Sequence, residues 1–226
     1  GMGLSPRMWN EGSSNDLAKM IDFAVQRYPK KSLVPVGFSL SGNVLLKYLG
    51  EGRKIPGNIS GALAVNPPVD LRVASDIISK KWSCTLFNKY YMRLIRKQAV
   101  ALVKQFPSAL NPLKNLKTIW DFDVSYTAPA GGFKDVDDYY DQSSSKHFLQ
   151  GIKTPTSILS AEDDPFVPGY LFDQVVMSEK IALHKPENGG HMGYISRHTT
   201  SHGDRRWMDY AVLEWIRELH ESGGNP

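Results

Sequence analysis

Two short apolar runs, at 32–38 and 59–66, constrain the fold of this chain more than any other feature. The runs "SLVPVGF" and "ISGALAVN" predict buried strands. Between them, "NVLLKYLGEG" predicts a helix that ends at Gly50 and Gly52. Strand, helix and strand in this order require a parallel sheet with a right-handed crossover. The expected fold class is therefore α/β, with a mostly parallel sheet flanked by helices.

This strand–helix rhythm is interrupted between residues 70 and 150 and then resumes. The interruption carries apolar residues at helical spacing, so we expect a helical cap insert there. Residues 1–69 and 151–226 are expected to form the α/β core. The elements predicted after the insert are a strand from Thr156 to Ser160, a helix at 169–177, a strand at 180–185 and an amphipathic helix at 205–219.

The net charge of +4 is concentrated in one segment. Residues 70–105 hold eight Lys or Arg and two acids, so this segment is more basic than the whole chain. The charge is therefore local and does not indicate a nucleic-acid-binding protein. The single cysteine, Cys84, excludes an internal disulfide framework and a cysteine-based metal cage.

Targeting signals and cofactor motifs are not visible in the sequence. There is no apolar run of about 18 residues and no signal peptide, so we expect a cytoplasmic protein. We expect Gly1 to be a tag remnant before a start methionine, Met2. No cofactor is expected. His198 and His202 are four residues apart but lack the carboxylate of an H-E-x-x-H pattern, so no metal site is expected either.

The stretch "VGFSLSGN" (36–43) joins the first predicted strand to the helix and resembles the nucleophile-elbow pattern G-x-S-x-G. A nucleophile at this turn needs small residues two positions before and after it, because the strand and the helix pass close together there. Ser39 has Gly37 and Ser41 at those positions, whereas Ser41 would have the bulkier Asn43. Ser39 is therefore the predicted nucleophile. The alternative is an ordinary strand–helix turn that holds an anion.

Two later loops each follow a predicted strand and supply the partners that a serine nucleophile needs. "SAEDDPFVP" carries adjacent acids, of which we choose Asp164, with Asp163 as second choice. "GGHMG" carries His191. The order Ser, Asp, His is the order found in α/β-hydrolase triads. His191 would move the proton of Ser39, and the acid would fix the imidazole tautomer. The alternative for the acidic triplet is a solvated turn.

The chain resembles the YheT/EMB8-type branch of the α/β-hydrolase superfamily, together with its ABHD1/3-type lipid hydrolases. The resemblance runs from about Pro6 to the C-terminal helix, and "TAPAGGF…DDYY" in the insert is its most branch-specific part. It implies a carboxylic ester hydrolase, acting on medium-chain or lipid esters through an acyl-enzyme. It also implies the triad Ser39, Asp164 and His191, with the Leu40 amide as one oxyanion donor.

The chain departs from this branch in two places. Ser41 stands where the branch has glycine. Members of this branch carry further strands before the nucleophile strand, and a His-Gly loop among them supplies the second oxyanion donor. In this sequence neither feature is found before Ser39. We therefore expect an exposed sheet edge at the nucleophile strand, which is a pairing hazard. The alternatives are a C-terminal fragment, a truncated gene model, a non-catalytic scaffold, or a shortened homologue whose edge a second copy covers.

Beyond an ester substrate, the basic insert suggests a membrane surface as a further partner. Its aromatic residues Trp82, Phe87, Tyr90 and Tyr91 interleave with Lys80, Lys81, Lys89 and Arg93. This pattern is typical of helices that lie on membrane surfaces. The alternative is a pair of cap helices that packs these aromatic side chains over the active site.

Overall fold

The computed structural model describes residues 5–108, 110–111 and 117–223. These residues divide into two compact units. The sheet unit consists of the described residues in 13–69 and 144–223, and the helical unit of those in 5–12 and 70–143.

Helices, short strands and single helical turns alternate along the described residues. In chain order, they are α1 (Ser14–Arg27), β1 (Val36–Phe38), α2 (Leu40–Gly50), β2 (Ala62–Val65), α3 (Leu71–Lys80), a 3₁₀ turn (Trp82–Cys84), α4 (Thr85–Gln105), α5 (Ile119–Phe122), a π-helical turn (Asp123–Thr127), α6 (Ala128–Gly131), α7 (Val136–Ser143), 3₁₀ turns at Ser145–His147 and Leu149–Gly151, β3 (Thr156–Leu159), a 3₁₀ turn (Gly169–Phe172), β4 (Ile181–His184) and α8 (Trp207–Gly223).

Within the described residues, the sheet has four parallel strands in the order β1-β2-β3-β4, which confirms the predicted fold class. Phe38, Val65, Leu159 and His184, the last residue of each strand, pair in one row across the sheet. The loops that follow all four strands therefore leave the sheet at the same edge. This is the edge at which parallel α/β sheets bind ligands.

The two central strands of the sheet are buried on both faces. Every residue of β2 and β3 is buried. On one side, Trp207, Trp215 and Ile216 of α8 pack against a cluster that includes Leu63 and Leu159. Full burial of a leucine such as Leu63 or Leu159 contributes about 1.5–3 kcal/mol. α2 is also largely buried, from Gly42 to Leu49 with the exception of Lys47.

Two predicted elements of the sheet unit differ from what the structure contains. The helix predicted at 169–177 is only a 3₁₀ turn, Gly169–Phe172. The β-branched Val175 and Val176 that follow have low helix propensity. The first strand, predicted over 32–38, is reduced to Val36–Phe38. Pro35 just before it has no N–H to donate to a ladder.

Strand β1 lies at one end of the strand order, and among the described residues its ladder partner is β2. The expectation that a second copy of the chain covers the other edge stays a prediction. No helix within the described ranges is both long enough and apolar enough to cross a membrane.

The turn from β1 into α2 is sharp, and Gly37 lies close to the backbone of two residues of α2. Ser39 has φ 51° and ψ −123°, which is strained for a residue with a side chain. A methyl group added at Gly37 would lie 2.6 Å from the Ser41 carbonyl oxygen and 2.7 Å from Gly42 Cα. Ser41, the residue predicted to pass close to the strand, does so through its backbone carbonyl, and Gly42 comes almost as near. Because the Ser41 side chain itself is exposed, a serine is tolerated at position 41.

The helical unit contains a buried polar cluster. Asp123 is 3% exposed and accepts a hydrogen bond of 2.7 Å from the Tyr140 hydroxyl, which lies 2.7 Å from Ser75 Oγ. The Glu11 carboxyl oxygen Oε2 is also buried. Burial raises the pKa of Asp123 to about 6. Burial, with the nearby charge of Asp123, raises the pKa of Glu11 to about 8.

Replacing Glu11 with Gln is expected to flatten the pH dependence of stability. The pKa of Glu11 is higher in the folded than in the unfolded state, so folding binds a proton. Its contribution to stability is therefore complete at low pH and is lost as the pH rises from about 4.5 to about 8. Over that window the unfolding free energy of the parent should fall by on the order of a few kcal/mol, and that of Glu11→Gln by less. Urea unfolding at several pH values measures both.

The matched control for this experiment is Glu179→Gln, because the Glu179 side chain is 88% exposed. Its pH dependence should follow that of the parent. Parallel curves for Glu11→Gln and the parent would contradict the assignment of a buried, proton-binding carboxyl at residue 11.

Candidate active site

The sheet unit brings together the three side chains chosen from sequence. Ser39 follows β1, Asp164 lies in the loop after β3, and His191 lies in the loop after β4. His191 Nε2 is 2.9 Å from Ser39 Oγ, and His191 Nδ1 is 2.7 Å from Asp164 Oδ2. The Asp164 side chain is fully buried, and that of His191 is 14% exposed. This geometry allows a proton to pass between the serine and the imidazole while the carboxylate holds the ring.

The carboxylate of Asp164 is fixed by its own loop. Its Oδ1 accepts hydrogen bonds from the backbone N–H groups of Phe166 (3.0 Å) and Val167 (2.9 Å). An aspartate that bonds to amides two and three residues ahead forms a compact turn. Pro165, whose φ is fixed by its ring, occupies the next position in that turn. The "DPFV" sequence therefore positions Oδ2 for its contact with His191.

The other members of the acidic triplet have different contacts. Asp163, the second choice, accepts hydrogen bonds at Oδ1 from the Gly189 and Gly190 amides, at 2.8 and 2.7 Å. Glu162 lies 3.7 Å from Lys185 Nζ. Asp163 thus holds the backbone of the glycine-rich loop, whereas Asp164 contacts the imidazole ring itself.

Asn66 is a site residue that the sequence did not reveal. It follows β2, is completely buried, and has a positive φ of 44°. The two N–H groups of its Nδ2 face three acceptors, namely Asp164 Oδ2 (2.9 Å), the Gly190 carbonyl (2.8 Å) and, at shorter range, the His191 carbonyl. One side-chain amide therefore joins the carboxylate to the loop that carries the imidazole. The only sequence feature that could have indicated its role is its position at a strand end, before two prolines.

The amide of Asn66 is oriented by donors to its oxygen. The Tyr194 hydroxyl donates a short hydrogen bond to Asn66 Oδ1, and the Ala161 amide donates at 3.3 Å. Burial raises the pKa of Tyr194, so this hydroxyl keeps its proton and remains a donor. Because both donors face the oxygen, the NH₂ group is directed at Asp164 and the histidine loop.

The surroundings of His191 and of α2 complete the site. The Phe166 ring packs against the imidazole with centroids 4.2 Å apart. The amides of Gly42 and Asn43 donate to the Ser39 carbonyl at 2.8 and 3.2 Å. Leu40 is the first residue of α2, and an α-helix provides no internal carbonyl for an amide at that position. The Leu40 N–H is therefore suited to bind a developing negative charge next to Ser39.

The remaining residues considered from sequence have other contacts. Asn43 is buried, and its Oδ1 accepts a hydrogen bond of 2.8 Å from the Ser145 amide. His184 stacks on Trp215 at 4.2 Å, and burial lowers its pKa. His202 Nε2 is 3.7 Å from Glu214. In the part of the chain that the structure describes, no group of three or more His, Cys, Asp or Glu side chains could hold a metal ion.

Comparison with known proteins finds relatives that align with almost all of this chain. A monoacylglycerol lipase from Saccharomyces cerevisiae is 28% identical over 96% of this chain and 49% of its own length. YheT from Escherichia coli is 28% identical over 96% of this chain and 64% of its own. The chain therefore spans between about half and two thirds of these relatives. The match to YheT confirms the resemblance to its branch.

A solved structure shares the fold at lower identity. It is a serine hydrolase from Cycloclasticus zankles, a bacterium that degrades polyaromatic hydrocarbons. The alignment has a TM-score of 0.53 and 15% identity, and covers 99% of this chain and 76% of that one. The family profile described as the alpha/beta hydrolase fold matches residues 1–197. Because that match covers most of the 226 residues, the chain belongs to the α/β-hydrolase fold family.

Proposed function

We propose that this chain is a serine hydrolase that cleaves carboxylic esters. Ser39 is the nucleophile, His191 the general base and acid, and Asp164 the group that orients the imidazole. The observation that carries the proposal is the continuous line of hydrogen bonds from Ser39 Oγ through His191 to Asp164 Oδ2, at 2.9 and 2.7 Å. The strained backbone of Ser39 adds support, because strain of this kind is concentrated at functional sites.

In the acylation step, His191 Nε2 takes the proton of Ser39 while Oγ attacks the ester carbonyl carbon. The carbonyl electrons move to its oxygen, and the tetrahedral oxyanion forms. When the oxyanion collapses, the bond to the alcohol portion breaks, and His191 Nε2–H gives its proton to the leaving alkoxide. Asp164 stabilises the imidazolium, and its bond to Nδ1–H keeps Nε2 directed at Ser39.

In the deacylation step, water replaces the alcohol. His191 takes a proton from the water, and the resulting hydroxide oxygen attacks the acyl-enzyme carbonyl. Collapse of the second oxyanion releases the carboxylic acid and returns the proton to Ser39. The Leu40 amide is the oxyanion donor that this chain supplies from α2. A single donor of this kind typically contributes a factor of about 10²–10³ to turnover.

Lipid esters are the substrate class that we infer. The relative from Saccharomyces cerevisiae is named a monoacylglycerol lipase, and it aligns with almost all of this chain. The hydrogen-bonded triad also counts against the non-catalytic alternative, because a scaffold without activity has no need to keep a buried carboxylate paired with an imidazole.

A fluorophosphonate probe is expected to label Ser39 of the folded protein. Ser39→Ala should abolish the labelling, which intact mass spectrometry measures. Ser41→Ala is the matched control: its side chain is exposed and lies on the same turn, so labelling should persist. If labelling survived in Ser39→Ala but were lost in Ser41→Ala, the nucleophile would be Ser41 and the proposal would be wrong.

Asp164→Asn and Asp163→Asn are expected to separate the two acids. Because Oδ1 at position 164 accepts two backbone amides, an asparagine would place its NH₂ group at the Oδ2 position, facing His191 Nδ1. This donor favours the wrong imidazole tautomer, so the kcat of p-nitrophenyl ester hydrolysis should fall by about 10⁴. Asp163→Asn only weakens the bonds to the Gly189 and Gly190 amides, so its loss should be much smaller. Equal losses in the two variants would reject Asp164 as the orienting acid.

Asn66→Gly is expected to lower kcat by roughly tenfold to a hundredfold, since a small displacement of the imidazole has effects of that size. Glycine accepts the positive φ, so this variant removes the amide without straining the backbone. KM should change little, because Asn66 is buried. Tyr194→Phe, which removes one donor to the Asn66 oxygen, should have a weaker effect. An unchanged kcat in a folded Asn66→Gly variant would remove Asn66 from the site.

A further inference from the structure

Helix α4 of the helical unit carries two adjacent rows of exposed side chains with different chemistry. Residues four apart lie on one side of a helix, each about 40° further around. Leu86, Tyr90 and Leu94 form an apolar row, and Lys89, Arg93 and Lys97 form a basic row next to it. All six side chains are exposed. We call these six residues, together with the exposed Trp82 in the preceding turn, the interfacial face.

The apolar part of this face is unusually open. Trp82 is 87% exposed, Leu86 78% and Tyr90 58%. The opposite side of α4 is already packed, with Asn88, Met92, Ala99 and Leu102 buried. Met92 belongs to a core cluster with Phe122 and Tyr126 of the same unit. The helix therefore has its core side satisfied, and its apolar row faces outward. A contiguous exposed apolar patch of this kind marks an interaction site.

The charge of the face has one sign. α4 contains five basic residues and no acid. The acids nearest in sequence are engaged elsewhere, since Asp76 pairs with Lys80 at 2.9 Å and with Arg72 at 3.4 Å. Among the described residues, no ion pair involves Lys89, Arg93 or Lys97. The basic row thus presents its charge to solvent, and its complement is an anionic surface.

We propose that the interfacial face of α4 binds an anionic lipid surface. The apolar row enters the boundary between headgroups and acyl chains, and the basic row contacts the phosphates, as amphipathic interfacial helices do. Leucines at 86 and 94 favour lipid over nucleic acid, because aliphatic side chains gain little from stacking on bases but gain free energy in an apolar phase. This binding does not depend on the proposed ester hydrolysis.

Flotation with lipid vesicles tests the proposal. The parent should bind vesicles that contain about a third phosphatidylglycerol, bind pure phosphatidylcholine much more weakly, and lose binding when the salt concentration rises to about 0.5 M. Lys89→Gln with Arg93→Gln should reduce partitioning by roughly twentyfold or more, at about fivefold for each charge. Leu86→Ser with Leu94→Ser should reduce it by at least about tenfold.

The control pair is Met20→Ser with Phe23→Ser on α1. These side chains are 69% and 70% exposed, but α1 also carries Asp16 and Asp22, so the surface there is not of one sign. Circular dichroism confirms that each variant is folded, and probe labelling of Ser39 should be the same in all. Three results would overturn the proposal: no binding by the parent, equal loss in the control pair, or salt-insensitive binding to neutral vesicles. Binding of the parent to duplex DNA but not to lipid vesicles would overturn it as well.

Discussion

The parallel register of the sheet is the constraint on which the rest of the site depends. The row Phe38, Val65, Leu159 and His184 brings the four strand ends to one edge. Backbone hydrogen bonds extend the row by one residue, from Ser39 N to the Val65 carbonyl and from Asn66 N to the Leu159 carbonyl. Each strand thereby contributes one side chain to the site. A shift of one residue in any ladder would turn the side chain away from its partners.

The hydrogen bonds of Asp164 matter because its carboxylate is buried. Asp164 is removed from water, and burying a carboxyl group is costly unless hydrogen-bond donors compensate for the lost water. Two amides of its own loop, the Asn66 amide and the His191 ring supply that compensation. The same four contacts fix the direction of the carboxylate. The hydrogen bonds that make the burial of Asp164 tolerable therefore also align the imidazole.

The helical unit buries acidic groups beside its apolar core, and it also exposes large apolar side chains. Its interior contains the carboxyls of Glu11 and Asp123, both with a raised pKa. Its surface carries leucine, tyrosine and tryptophan side chains beside lysine and arginine. Such an arrangement is unfavourable for a face that meets only water, and it becomes favourable where one side of the helix meets a lipid phase.

The α/β class follows from the sequence alone, because apolar runs of strand length alternate with a helix-period segment. The sequence also predicted Ser39, His191 and an adjacent acid, with Asp164 preferred to Asp163, because these residues follow predicted strands in the order Ser, Asp, His. The helix predicted at 169–177 is wrong beyond Phe172, where β-branched valines disfavour a helix.

Tertiary structure was needed to show which member of the acidic triplet meets His191, that Gly42 joins the Ser41 backbone in the close approach to Gly37, and that Asn66 belongs to the site. These depend on contacts between residues distant in the chain. Asn66 and Asp164 are 98 positions apart, and their hydrogen bond exists only because β2 and β3 pair in one register. Local propensity determines where strands form, but distances between their loops follow from how the strands are paired.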